Sequence, residues 1–99
     1  MFPQGSLNEK RHFRRIGVDW TVSCHIGEHS FEAIAKDAGT NGAFLRPTDV
    51  DMESWLKALT QSNWRMSLEL QGNRSVAQVR WMGFSREHGC KGFGVQFLR

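Results

Sequence analysis

Two stretches of this chain hold side chains whose types and spacing suit chemistry. Arg11-His12-Phe13-Arg14-Arg15 is a basic cluster with two arginines four residues apart. Asp37-Ala38-Gly39-Thr40-Asn41-Gly42 is an acid-and-glycine turn. A guanidinium is a planar fork that can bond the O6 and N7 acceptors of guanine, stack on its ring or clamp a phosphate. A carboxylate can accept from guanine's N–H donors, which adenine does not offer in that arrangement. Neither stretch is decisive alone. Together they suit a guanine nucleotide, provided that the elements between them hold the two stretches on one surface.

Those elements are strands. Val18, Trp20, Val22, Cys24 and Ile26 alternate with Asp19, Thr21, Ser23 and His25, which predicts a half-buried strand. Gly27-Glu28-His29 turns the chain, and Phe31, Ala33 and Ala35 alternate with Glu32 and Lys36 in a hairpin partner. Only Ile34 breaks that alternation. The Asp37–Gly42 turn leads to Ala43-Phe44-Leu45, a short apolar run that Arg46-Pro47 ends. Further on, Trp64, Met66, Leu68 and Leu70 alternate with Arg65, Ser67 and Glu69. Gln71-Gly72-Asn73-Arg74 is turn chemistry, and Ala77, Val79 and Trp81 return as a strand, with Trp81 expected in the core and the alternative that it lies beside a bound base. A glycine-rich stretch from Gly83 to Gly92 precedes the last strand, Phe93, Val95 and Phe97.

One helix interrupts the strands. Met52, Trp55, Leu56 and Leu59 fall at i, i+3, i+4 and i+7, an apolar stripe in which Trp55 is expected to be core. Thr48 or Asp49 can cap its start, and Asp49, Asp51 and Glu53 complement its dipole. Six short strands with one apolar face each bury those faces best as a closed antiparallel barrel, which also removes exposed edges. The expected architecture is all-β: a six-stranded antiparallel barrel over residues 17–99, with one short helix and a flexible N-terminal arm over residues 1–16 that carries the arginines.

Composition bounds the function. The 99 residues make one domain with a single core, and 39% hydrophobic content with four Trp and seven Phe supports a packed globule. No run of about 18 apolar residues could span a membrane. Met1 to Lys10 lacks an apolar signal-peptide core, so the expected compartment is the cytoplasm. A formal charge of +3 fits an anionic ligand and is too small to establish nucleic-acid binding. No nucleophile, base and oxyanion constellation can be assembled, so no enzyme is expected. Cys24, His25, His29, His88 and Cys90 offer zinc ligands, but their spacing matches no standard signature, and no metal is expected.

These residues resemble a known family, the PilZ domains, bacterial receptors for cyclic di-GMP. That family carries R-x-x-x-R before its first strand, and Arg11 to Arg15 matches it, with apolar Ile16 following. Its second motif, D/N-x-S-x-x-G, lies between the second and third strands; Asp37 and Gly42 match its ends, and Gly39 stands where the serine belongs. Val79-Arg80-Trp81, a glycine-containing hairpin and Gly92-Phe93-Gly94-Val95-Gln96-Phe97 also fit, so the likeness spans residues 9 to 99.

The resemblance implies a small barrel whose arm closes over cyclic di-GMP. Arg11 and Arg15 would grip guanine and phosphate, Asp37 would bond the guanine edge, and Gly42 would let the backbone turn closely under the ligand as a residue free to take positive φ. Gly39 belongs to the same ligand loop, and Arg14 and Arg46 are secondary phosphate candidates. The expected function is a cyclic di-GMP-controlled switch or adaptor toward an unidentified protein partner, with no further cofactor, nucleic acid or membrane. The alternative is a PilZ-like interaction module that has lost the nucleotide, which Gly39 favours.

Overall fold

A computed structural model describes residues 16–48 and 52–98. The elements run β1 (Ile16–Ile26), β2 (His29–Ala38), β3 (Gly42–Pro47), α1 (Met52–Gln61), β4 (Arg65–Leu70), β5 (Asn73–Ser85) and β6 (Cys90–Phe97). All six strands close into an antiparallel barrel in the order β1-β2-β3-β6-β5-β4. The expected six-stranded barrel with one helix is what the chain forms. The arm with Arg11, Arg14 and Arg15 lies outside the described residues.

The alternation read from the sequence decides which way most side chains point. Val22, Cys24, Ile26, Ala33, Ala35, Ala43, Leu45, Met66, Leu68, Ala77, Phe93 and Val95 are buried in one core cluster. Its densest part is aromatic. Trp55 of α1 is fully buried, with ring centroids 4.5 Å from Phe31 and 5.2 Å from Phe93. The helix therefore docks through Trp55, Ala58 and Leu59, as its apolar stripe predicts. Truncating such a residue to alanine costs about 3–5 kcal/mol. That is a large share of the 5–15 kcal/mol that typically holds a domain together.

Three register shifts interrupt the strand ladders: one on β1 between Gly17 and Trp20, and two that move residues of interest. Between β2 and β3, Ala35 pairs with Leu45 and Asp37 with Phe44, which leaves Lys36 as an extra residue. Between β5 and β6, Val79 pairs with Val95 and Trp81 with Gly94, which leaves Arg80 extra. Each is a one-residue β-bulge, and a bulge reverses which face the following residues meet. Strict alternation would carry Asp37 inward after Ala33 and Ala35, and Trp81 inward after Ala77 and Val79. The bulges put both outside instead. This corrects the expectation that Trp81 is core: it is 46% exposed. β2 runs through Ala38, so Asp37 is a strand residue rather than the first residue of a turn.

Candidate functional site

Strand pairing builds one continuous row across the outer face of the barrel. Gly17 on β1 faces Asp37 on β2, Asp37 faces Phe44 on β3, Phe44 faces Gly94 on β6, and Gly94 faces Trp81 on β5. Ala43 and Leu45, on either side of Phe44, point into the core, so Phe44 points out. It is nevertheless only 2% exposed, because other aromatic rings cover it. The Trp81 ring lies 5.5 Å from it at an interplanar angle of 25°. The His88 imidazole lies 4.8 Å away at 17°.

Glycines make this face flat. A Cβ at Gly94 would run into the Trp81 indole, and one at Gly92 into the Leu45 carbonyl and the Phe44 ring. A Cβ at Gly42 would collide with the carbonyl oxygen of Val95. Gly42 is not among the positive-φ residues. The reason for glycine there is close approach of β3 to β6, not the left-handed backbone expected from the sequence.

Asp37 is the only buried polar or charged residue among those described, at 5% exposure. Its carboxylate is tied on both sides. The Phe44 backbone N–H donates to Oδ1 at 3.1 Å, and the His88 Nε2–H donates to Oδ2 at 2.6 Å. The first bond fixes the acid against the strand that carries the aromatic ring. The second comes from a residue 51 positions away in sequence. His88 sits in the turn joining β5 to β6, where its own N–H bonds the Ser85 hydroxyl at 3.2 Å and the Gly89 N–H bonds the Ser85 carbonyl at 2.7 Å. Gly89, at φ +69°, supplies the left-handed residue this turn needs.

The sequence-predicted residues distribute as follows. Asp37 lies in the row. Gly42 and Arg46 flank Phe44 on the same strand, two residues away in either direction, so all three face outward. Gly39 opens the short link between β2 and β3, where its N–H bonds the Gly42 carbonyl at 3.0 Å. Arg11, Arg14 and Arg15 lie outside the described residues. Phe44 and His88 were not singled out as site residues. Phe44 read as part of an apolar run, and His88 read only as a stray zinc ligand.

Those stray zinc ligands do not meet. Cys24 is buried in the barrel, where burial pushes its thiol up to about 12, while His88 and Cys90 belong to the β5–β6 hairpin. A different trio, Asp37, Glu87 and His88, brings its donor atoms within 4.8 Å of one another. Two ligands on one tetrahedral zinc stand roughly 3.3 Å apart when their bonds are about 2.0 Å long. The 2.6 Å separation of Asp37 and His88 is therefore that of a hydrogen bond.

No family model matches the sequence, and no curated protein matches it. Among solved structures, the chain resembles the PlzA protein of Borreliella burgdorferi in complex with c-di-GMP, with a TM-score of 0.67 and 13% sequence identity. The match covers 93% of this chain and 46% of PlzA, so this chain spans about half of that protein. At such low identity the likeness is one of fold: nearly the whole chain shares the barrel architecture of a protein whose structure holds c-di-GMP.

Proposed function

We propose that this domain binds cyclic di-GMP on the outer face described above and passes the event to a protein partner. The observation that carries this reading is the placement of Asp37. A β-bulge turns the carboxylate out of the barrel, and a backbone N–H locks it beside a row of aromatic rings. A carboxylate next to a flat aromatic surface is suited to a base with two adjacent N–H donors, which guanine has. Support comes also from the barrel's likeness to c-di-GMP-bound PlzA and from the arginine pair preceding β1. In this reading Arg11 and Arg15 grip guanine and phosphate, with Arg14 and Arg46 as further phosphate partners. The arm is then drawn onto the barrel by the ligand, and that change in surface is what a partner reads.

A second reading is favoured by Gly39, which lacks the hydroxyl of the family pattern, and by His88, which already occupies the Asp37 carboxylate. It is an interaction module without a nucleotide. Calorimetric titration with cyclic di-GMP and with cyclic di-AMP separates the two. Saturable binding of the guanine dinucleotide, weakened by about 1–3 kcal/mol in Arg15→Ala and Asp37→Ala, is expected. No heat with either dinucleotide would leave the interaction module.

A further inference from the structure

We propose that the His88 imidazole is an internal stand-in for a nucleobase, which the ligand must displace and which thereby sets both the affinity and the output of the site. The proposal rests on the reading that a guanine binds against Asp37. Two contacts carry it. The imidazole is a planar ring stacked on Phe44, with centroids 4.8 Å apart and planes at 17°. Its Nε2–H donates to Asp37 Oδ2 at 2.6 Å. A base using Asp37 would need the same two things, an aromatic face to lie on and a carboxylate oxygen to receive an N–H. Platform and acceptor cannot drift apart, because the backbone N–H of Phe44 holds the other oxygen of the same carboxylate at 3.1 Å.

Imidazole and base exclude each other. A hydrogen bond of 2.6 Å and a ring stack leave no space for a second ring on the same oxygen and the same side of Phe44. With His88 in place, Phe44 is 2% and Asp37 5% exposed, so neither offers a surface for recognition. Swinging His88 away removes the imidazole from Phe44 and from Asp37 Oδ2 in one movement. The turn itself can stay folded during this movement. Its two bonds to Ser85 are made by backbone N–H groups of His88 and Gly89, not by the imidazole.

A ligand that evicts His88 places an imidazole on the surface beside the β5–β6 hairpin. Met82 and Phe84 are already 41% and 60% exposed on that hairpin. Nucleotide binding would thus be read out at the hairpin as well as at the arm. Free energy spent on eviction lowers the apparent affinity, as for any ligand that binds a minor conformer.

The test is calorimetry with cyclic di-GMP on the whole chain and on His88→Ala, joined to proton NMR of the His88 ring in the unmodified chain. In the free protein, the His88 ring protons are expected to be shifted upfield by the Phe44 ring. At saturation they should move toward the positions of an exposed histidine. His88→Ala should bind about tenfold tighter, or bind where the unmodified chain does not. Binding by the unmodified chain with equal or weaker binding by His88→Ala would overturn the proposal and make His88 a positioning residue for Asp37. Ring protons that stay shifted at saturation would overturn it even if the variant failed to fold. If neither chain bound, the cyclic di-GMP reading itself would fall, and this proposal with it.

Discussion

The Trp81 indole lies against the bare backbone of Gly94, its cross-strand partner, so closely that the glycine has no room for a Cβ. That contact puts the tryptophan flat on the barrel and beside Phe44, 5.5 Å away. It is possible only because the bulge at Arg80 brings Trp81 to the outside. The aromatic surface next to Asp37 is therefore a product of one extra residue on β5 and one absent side chain on β6.

Gly94→Ala is expected to cost about 1–3 kcal/mol, because the added methyl must push the indole away. The backbone at Gly94 is not strained, so the penalty belongs to the contact rather than to φ. In a Trp81→Ala background the same substitution should cost little. Chemical denaturation of the four chains in a double-mutant cycle reads the coupling. A cycle with no coupling energy would mean that Trp81 does not lie on Gly94 in solution.

Asp37 has two tasks that substitution can separate. Asp37→Ala leaves the Phe44 N–H buried without this acceptor and should cost about 1–3 kcal/mol of stability. Asp37→Asn keeps an oxygen for that N–H, so its melting temperature should stay much closer to that of the parent. The amide is uncharged, however, and under the proposed function should bind cyclic di-GMP more weakly. Equal melting temperatures for the alanine and asparagine chains would show that the 3.1 Å bond to Phe44 contributes nothing.

Gly39→Ser tests the departure from the family pattern. Among the described residues the left-handed glycines are Gly27, Gly72, Gly83 and Gly89, so φ at Gly39 imposes no glycine requirement. A serine there should leave stability within about 1 kcal/mol of the parent, since neither φ nor a lost bond opposes it. Under the proposed function, the hydroxyl should tighten cyclic di-GMP binding by about 1 kcal/mol. Weaker binding together with a lower melting temperature would show that the loop needs glycine for space.

Much of this fold was legible because alternation and helical periodicity are local patterns. Val22, Cys24 and Ile26, or Trp55, Ala58 and Leu59, announce their buried faces within one element. A bulge is not legible in that way. Lys36 and Arg80 look like ordinary outward residues, yet each displaces the parity of everything after it, and this is why Trp81 was expected in the core. Asp37 stood out by its type and its place in a motif, but its hydrogen-bond partner His88 returns from the far hairpin. A contact spanning 51 residues leaves no trace in a periodicity. The glycines of β6 were visible as part of a closing-strand pattern, but their purpose depends on which ring or carbonyl lies over them.

The barrel interior makes its own prediction at alkaline pH. Burial raises the Cys24 thiol from 9.0 to about 12, since a thiolate inside the apolar core would lose its hydration. In the unfolded chain the thiol ionises near 9, whereas the folded chain holds the proton until about 12. Between those values the folded state binds more protons, so stability falls as pH rises. The reserve is whole below pH 9 and spent by about 12. At about 1.4 kcal/mol per unit it amounts to some 4 kcal/mol at most. The chain has no tyrosine, so no phenol contributes to that fall. Denaturation midpoints followed from pH 8 to 11 should therefore fall less steeply for Cys24→Ala than for the parent. A thiol reagent at pH 8 should modify the half-buried Cys90 in the folded protein and reach Cys24 only after denaturant is added. Parallel alkaline limbs for the two chains, or rapid labelling of both thiols in the native protein, would show that the barrel opens around Cys24 far more readily than its packing implies.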